Sequence, residues 1–260
     1  MFINVDRLKG GYHNNTVFSD ISFNAKEGEM IYVLGANGCG KTTLFNIVVG
    51  YKDRMDGNIS INNQDVTNLS KQEKAKLIAY IPQHHTPAFN YSVKDIVVMG
   101  RASHLSMAEV PHKVDYDIVM NTLDMLGIKD LAYNEYKELS GGQRQLVLIA
   151  RAICQQSKII VMDEPLQNLD FVNQAMVTQT LRYLVKKGYI IIMSTHTAIN
   201  SYSQKDKVLL MSKDGKGSFG FIEEIVNNDT MNAAYGMPVQ TIFGEVENGG
   251  KYLFCLPKQG

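Results

Sequence analysis

Long apolar runs are missing from this chain. Those present, such as Ile190–Met193 and Val208–Met211, fall far short of the ~20 residues a membrane helix needs. The opening residues, MFINVDRLKG, hold no basic segment followed by an apolar core, so a secretion signal is not expected. An excess of positive charge is missing too: Lys+Arg and Asp+Glu each number 26, and the net charge is zero. That argues against a nucleic-acid or membrane-surface binder held mainly by electrostatics. Cysteine is scarce. Cys39, Cys154 and Cys255 are far apart and odd in number, which argues against a disulfide framework and for a reducing, cytosolic compartment. No low-complexity tract, internal repeat or Pro-rich linker interrupts the chain. What is present is 260 residues, 45% of them hydrophobic. That is too apolar for disorder and long enough for one large domain, or one core with a modest insertion.

The patterning predicts an α/β fold with a helical insert. Phe2–Leu8 and Val17–Lys26 alternate loosely, as strands do, with Gly10-Gly11 and Glu27-Gly28 as turns. Met30–Leu34 is a short apolar run, followed by a glycine-rich loop and a helix-like stretch over Lys41–Val49. Gly57–Ile61 and Ile78–Ile81 read as further strands. From about Ser92 to Gln155 the apolar residues recur at helical spacing, Tyr116, Val119, Met120 and Leu123 among them. Ile159–Met162 and Ile190–Met193 are continuous apolar runs, the mark of parallel strands covered on both faces. Phe171–Lys187 between them reads as a crossover helix. After Gly215 small strands and short helices follow, with plain packing preferred over a regulatory or dimer-stabilising role.

Gly35-Ala36-Asn37-Gly38-Cys39-Gly40-Lys41-Thr42-Thr43 matches the phosphate-loop pattern G-x-x-x-x-G-K-[ST], in the required place between strand and helix. Glycines let successive backbone N–H groups turn toward phosphate oxygens, and the helix adds its positive end. Lys41 would reach the β- and γ-phosphates and Thr42 would give its hydroxyl to Mg²⁺. Cys39 reads as a small residue at a permissive position; the sharper alternative is a thiol activated by the helix N-terminus. Ile159–Met162 runs straight into Asp163-Glu164. There Asp163 would hold Mg²⁺ through its hydration shell and Glu164 would orient the attacking water as general base. His196 and Gln83 each follow a strand at the edge where open α/β sheets bind ligands. The pair His84-His85 reads as an exposed, inert loop. Leu139-Ser140-Gly141-Gly142-Gln143 opens a further helix with Ser140 as N-cap, a second anion site. Two such ends on one chain fit two copies in head-to-tail contact.

With the phosphate loop and the Asp163-Glu164 strand, the sequence LSGGQ resembles the nucleotide-binding subunit of an ABC transporter over nearly the whole chain. The resemblance implies ATP and Mg²⁺ as cofactors, ATP hydrolysis, and a homodimer that closes around two nucleotides. It implies one ABC ATP-binding domain over 1–260. Residues 1–90 and 156–220 would form a P-loop NTPase core, with a parallel-rich sheet flanked by helices and an antiparallel N-terminal β subdomain. Residues 91–155 would be the helical subdomain and 221–260 a small C-terminal appendage. It implies that Tyr12 stacks on adenine, and that Gln83 links Mg²⁺ and water to the membrane partner. Ser140, Gly142 and Gln143 would serve the opposite nucleotide, Asp170 would sit in the loop that communicates across the dimer, and His196 would contact the γ-phosphate. Two departures stand out: Leu166-Gln167 where the family often has Thr-Ser, and Thr197 where an acid often follows the histidine. Tyr91–Arg101 with His104-Leu105 is similar to the permease-docking segment of type II importers, which take up iron–siderophores, cobalamin, haem or molybdate-type oxyanions. That implies membrane permease partners, indirectly a substrate-binding protein, no nucleic acid, and a place on the cytoplasmic face of the membrane. Iron–siderophore uptake is the first choice. The alternative is a soluble ABC ATPase acting as an assembly scaffold of the iron–sulfur type.

Overall fold

The computed structural model describes residues 1–13, 15–83, 85, 89–106, 108–195, 198–245 and 251–258. Strands β1 (Phe2–Tyr12) and β2 (Asn15–Lys26) alternate buried and exposed side chains, as strands with one dry face must. β3 (Met30–Gly35) is buried at every position, because it is covered on both sides. The glycine-rich loop leads from it into α1 (Lys41–Val48). β4 (Asp56–Ile61) and the short β5 (Gln64–Asp65) return to the first two strands. α2 (Lys71–Leu77) starts at Ser70, whose hydroxyl and Glu73 cap each other's backbone, and it runs into β6 (Ile78–Ile81).

The helical insert follows: α3 (Val93–Val98), α4 (Lys113–Met125) and α5 (Gly141–Cys154). A 3₁₀ turn over Met99–His104 extends α3. Buried Arg101 pins that turn to the insert. It pairs with Asp115 of α4 at 2.9 Å and donates to the Cys154 carbonyl of α5 at 2.9 Å. The sequence then alternates strand and helix as β7 (Ile159–Met162), α6 (Phe171–Lys186) and β8 (Ile190–Thr195). β9 (Ala198–Tyr202), β10 (Lys207–Met211), β11 (Gly217–Phe221), α7 (Ile222–Ile225), α8 (Asn228–Tyr235), β12 (Val239–Glu245) and β13 (Lys251–Pro257) complete the described chain.

Three sheets result. The central one has the order β11-β10-β3-β8-β7-β6, parallel throughout except for β11 at its edge. Met30, Tyr32 and Leu34 of β3 point into a core shared with α3–α6, and Ile31 and Val33 point into one shared with α1 and the antiparallel sheet β2-β1-β4-β5. The parallel register brings the C-terminal ends of β3, β6, β7 and β8 to one edge, where Leu34 pairs with Thr195, and Met162 with Ile81 and Met193. The third sheet, β12-β13-β9, binds the C-terminal hairpin to the strand that follows β8. Tyr235 of α8 packs against the core shared with α3–α6, which ties the segment after Gly215 to the rest of the fold. Among the described residues no helix is long and apolar enough to cross a membrane.

Candidate functional site

The shared sheet edge carries a cleft of about 420 Å³ lined by Tyr12, the glycine-rich loop, Gln83, Glu164 and Gln167. Helices α2, α3, α5, α6 and α8 take a side-chain cap, whereas α1 begins at Gly40 with no side-chain cap. Its first-turn N–H groups are therefore left for a ligand, and an anion suits them. Gly40 has φ +104°, and a Cβ there would lie 2.8 Å from Val17 Cγ1. Only glycine fits this bend. Lys41 is buried and its ammonium donates to the carbonyls of Gly35 at 2.7 Å and Ala36 at 3.2 Å, which aligns it along the loop. Cys39 is buried within the loop, and burial pushes its thiol pKa up. Both observations favour the small-residue reading over the activated thiol.

Opposite the loop, the Thr42 hydroxyl donates to Asp163 Oδ2 at 2.5 Å. The Ser194 hydroxyl of β8, itself buried, donates to Asp163 Oδ1 at 2.6 Å and accepts the Glu164 N–H at 2.7 Å. Glu164 has φ +48°, a left-handed conformation that costs an L-residue about 1 kcal/mol. The Ser194 contact helps to hold it there. Glu164 Oε1 lies 4.0 Å from the Lys41 ammonium, and its Oε2 accepts from Gln83 Nε2 at 3.1 Å. The same nitrogen donates to Gln167 Oε1 at 2.6 Å. A buried carboxylate beside the Thr42 hydroxyl suits Mg²⁺, which keeps several waters and takes one or two carboxylates. Among the described residues no group of three or more His, Cys, Asp and Glu is placed to form a denser metal cage.

Tyr12 is half exposed at the cleft mouth. Its hydroxyl accepts from Thr43 at 3.4 Å, and Lys52 sits 4.1 Å from its ring centroid. His196 lies outside the described residues, as do Thr197 and His84. His85 is half-buried rather than exposed, bonded to Arg151 at 2.9 Å and edge-on to Tyr136.

The remaining expected residues form a second group that does not line this cleft. Ser140 and Gln143 cap each other reciprocally at the head of α5. Asp170 caps α6 and accepts from the Asn173 amide at 2.8 Å. A Cβ on Gly142 would lie 2.0 Å from Asn173 Oδ1, so glycine there lets the two helix heads touch.

Sequence reasoning missed Ser194, Asn173 and Lys52, and recorded Gln167 only as a departure. For Ser194 a signal was present: a polar residue closing a buried apolar strand next to an acidic strand end.

The family model described as ABC transporter matches residues 18–167. An uncharacterised ABC transporter ATP-binding protein of Haemophilus influenzae is 38% identical, covering 85% of this chain and 82% of its own. The molybdate import ATP-binding protein MolC of the same organism is 34% identical, with 86% and 84% covered. A Helicobacter pylori protein named for iron chelatin transport is 34% identical over 94% of this chain and 96% of its own. Among solved structures, an ABC transporter classed as metal-chelate type, in an inward-facing conformation, superposes with a TM-score of 0.83 at 31% identity. It covers 99% of this chain and 97% of that one. A cleft over the glycine-rich loop at the edge of a parallel sheet, the LSGGQ helix head and these relatives agree: this chain belongs to the ABC transporter ATP-binding family and is a transport ATPase.

Proposed function

We propose that this chain powers an importer of a metal chelate, an iron–siderophore first, as one of two identical ATPase subunits beneath a separate permease. The gathering of Thr42, Asp163, Glu164 and Gln83 around the phosphate loop carries the reading. Lys41 and the α1 N–H groups would hold the β- and γ-phosphates, and Tyr12 would stack on adenine. Asp163, Thr42 and the Gln83 carbonyl oxygen would hold Mg²⁺, which supplies charge neutralisation on the phosphate oxygens. Glu164 would take the proton of the attacking water, and His196 would contact the γ-phosphate. Ser140, Gly142, Gln143 and Asp170 lie together outside this cleft, which supports their serving a second copy's nucleotide in a head-to-tail pair. Residues 91–155 would then act as the subdomain that carries this second group.

A groove of about 580 Å³ between α1, α2 and the insert supports the permease contact. Lys71, Lys74, Arg151, Tyr51 and Met99 line it, with no carboxylate among its lining residues. Burial holds the Arg151 guanidinium below its ordinary pKa, the state of a desolvated cation. A permease segment that carries an acid complements it, and would place this subunit on the cytoplasmic face of the membrane. The metal-chelate reading rests on the relatives, since no residue here would touch the cargo.

The chemistry is tested by Glu164→Gln, which should bind ATP, elute as an ATP-dependent dimer and lose turnover at least ~10²-fold. Near-normal turnover would remove Glu164 as the base. The transport role is tested by co-purification with a permease and uptake in proteoliposomes. Ferric siderophore should accumulate only with ATP; uptake of molybdate instead, or recovery of cytosolic partners alone, would overturn the substrate or the transport assignment.

A further inference from the structure

We propose that Gln167 is a positioning residue that holds the Gln83 side-chain amide at the nucleotide cleft, in the orientation the Glu164 carboxylate selects. A glutamine amide can present its oxygen or its nitrogen after a half turn, and only the oxygen can approach a cation. Gln83 Nε2 carries two hydrogens, and both meet acceptors: Glu164 Oε2 at 3.1 Å and Gln167 Oε1 at 2.6 Å. The reversed amide would set its oxygen against the Glu164 carboxylate, and Gln167 would have to turn its own amide as well to meet it. Oε1 of Gln83 is thereby the atom left for the cleft.

Glu164 selects this orientation, but it does not hold the amide alone. As general base its carboxylate turns to the attacking water, and its hold on Gln83 slackens at that moment. Gln167 is then the acceptor that keeps the amide in place. Its backbone sets its reach, because the Gln167 N–H donates to the Glu164 carbonyl at 3.1 Å across the left-handed turn. A serine at this position would put its oxygen two bonds nearer the backbone, too short to span the gap. The departure from the family's usual Ser is therefore a functional contact in this chain.

The proposal rests on the reading that Gln83 meets Mg²⁺, and the test separates the two. The readout is binding of a fluorescent, non-hydrolysed ATP analogue to the full chain as Mg²⁺ is titrated, alongside kcat and KM for ATP. Gln167→Met keeps the length and removes the acceptor. It should raise the Mg²⁺ midpoint roughly three- to tenfold, the worth of one hydrogen bond. It should lower kcat, and leave analogue binding in EDTA and the thermal midpoint unchanged, since the side chain is exposed. Gln167→Glu keeps an acceptor in either orientation and should hold the Mg²⁺ midpoint at or below that of the parent. An unmoved midpoint in Gln167→Met, beside a shifted one in Gln83→Ala, overturns the proposal alone. An equal rise in Gln167→Glu does the same. An unmoved midpoint in Gln83→Ala overturns the Gln83 reading and the proposal with it.

Discussion

Ser194 shows how much one hydroxyl can organise. It joins the Asp163 carboxylate to the Glu164 backbone from a neighbouring strand; both bonds are short, and the one to Asp163 is buried. Ser194→Ala leaves a carboxylate oxygen and an N–H without that partner in a dry site, a cost of about 1–3 kcal/mol. The variant should melt earlier and should also lose kcat, because Glu164 is freed from its left-handed turn. Ser194→Thr, which keeps the hydroxyl, should restore most of kcat; equal losses in both variants would reduce Ser194 to packing. At this scale legibility follows sequence distance. The phosphate loop is local, so its residue types and spacing announce it. The contacts Ser194–Asp163 and Gln83–Gln167 join residues far apart in the chain, and no local pattern encodes them.

Among elements, the strands of the central sheet were legible because continuous apolar runs such as Ile159–Met162 are buried on both faces. The helical insert was legible from period alone, and Val119 and Leu123 are fully buried as that period requires. What the period does not encode is how Met99–His104 is held. The Arg101–Asp115 pair holds it, with the Arg101 guanidinium keeping the Asp115 carboxyl below its ordinary pKa. Arg101→Met should cost roughly 3 kcal/mol, since it strands a buried carboxylate. The sign with pH is fixed: a depressed carboxylate contributes stability above its unfolded pKa and loses it as pH falls through the folded value. The gap between parent and variant should therefore be full at pH 7 and shrink below about pH 4, measured by urea unfolding at both pH values. A gap independent of pH would point to lost packing in place of lost charge pairing.

Across the whole molecule, the two site groups lie apart in the chain, and the third sheet depends on distant segments. β13 is the middle strand of its sheet, and Leu253 at its centre is fully buried. Leu253→Ala should destabilise by about 2–5 kcal/mol. Hydrogen exchange in the variant should quicken in β9, β12 and β13 together; quickening confined to β13 would show that the three strands do not open as a unit. Small strands after Gly215 were legible, but their pairing with β9 was not, because β9 is short and follows directly on β8, and its partner enters only at residue 251.

That late partner has a consequence during synthesis. Until Lys251–Pro257 leave the ribosome, the β9 backbone beside the strand end that leads to His196 has no described strand neighbour. An open edge of extended chain invites pairing with other chains. Nascent or truncated polypeptides stopping between residues 203 and 250 would carry that adhesive edge, and should be the species that chaperones and proteases meet first.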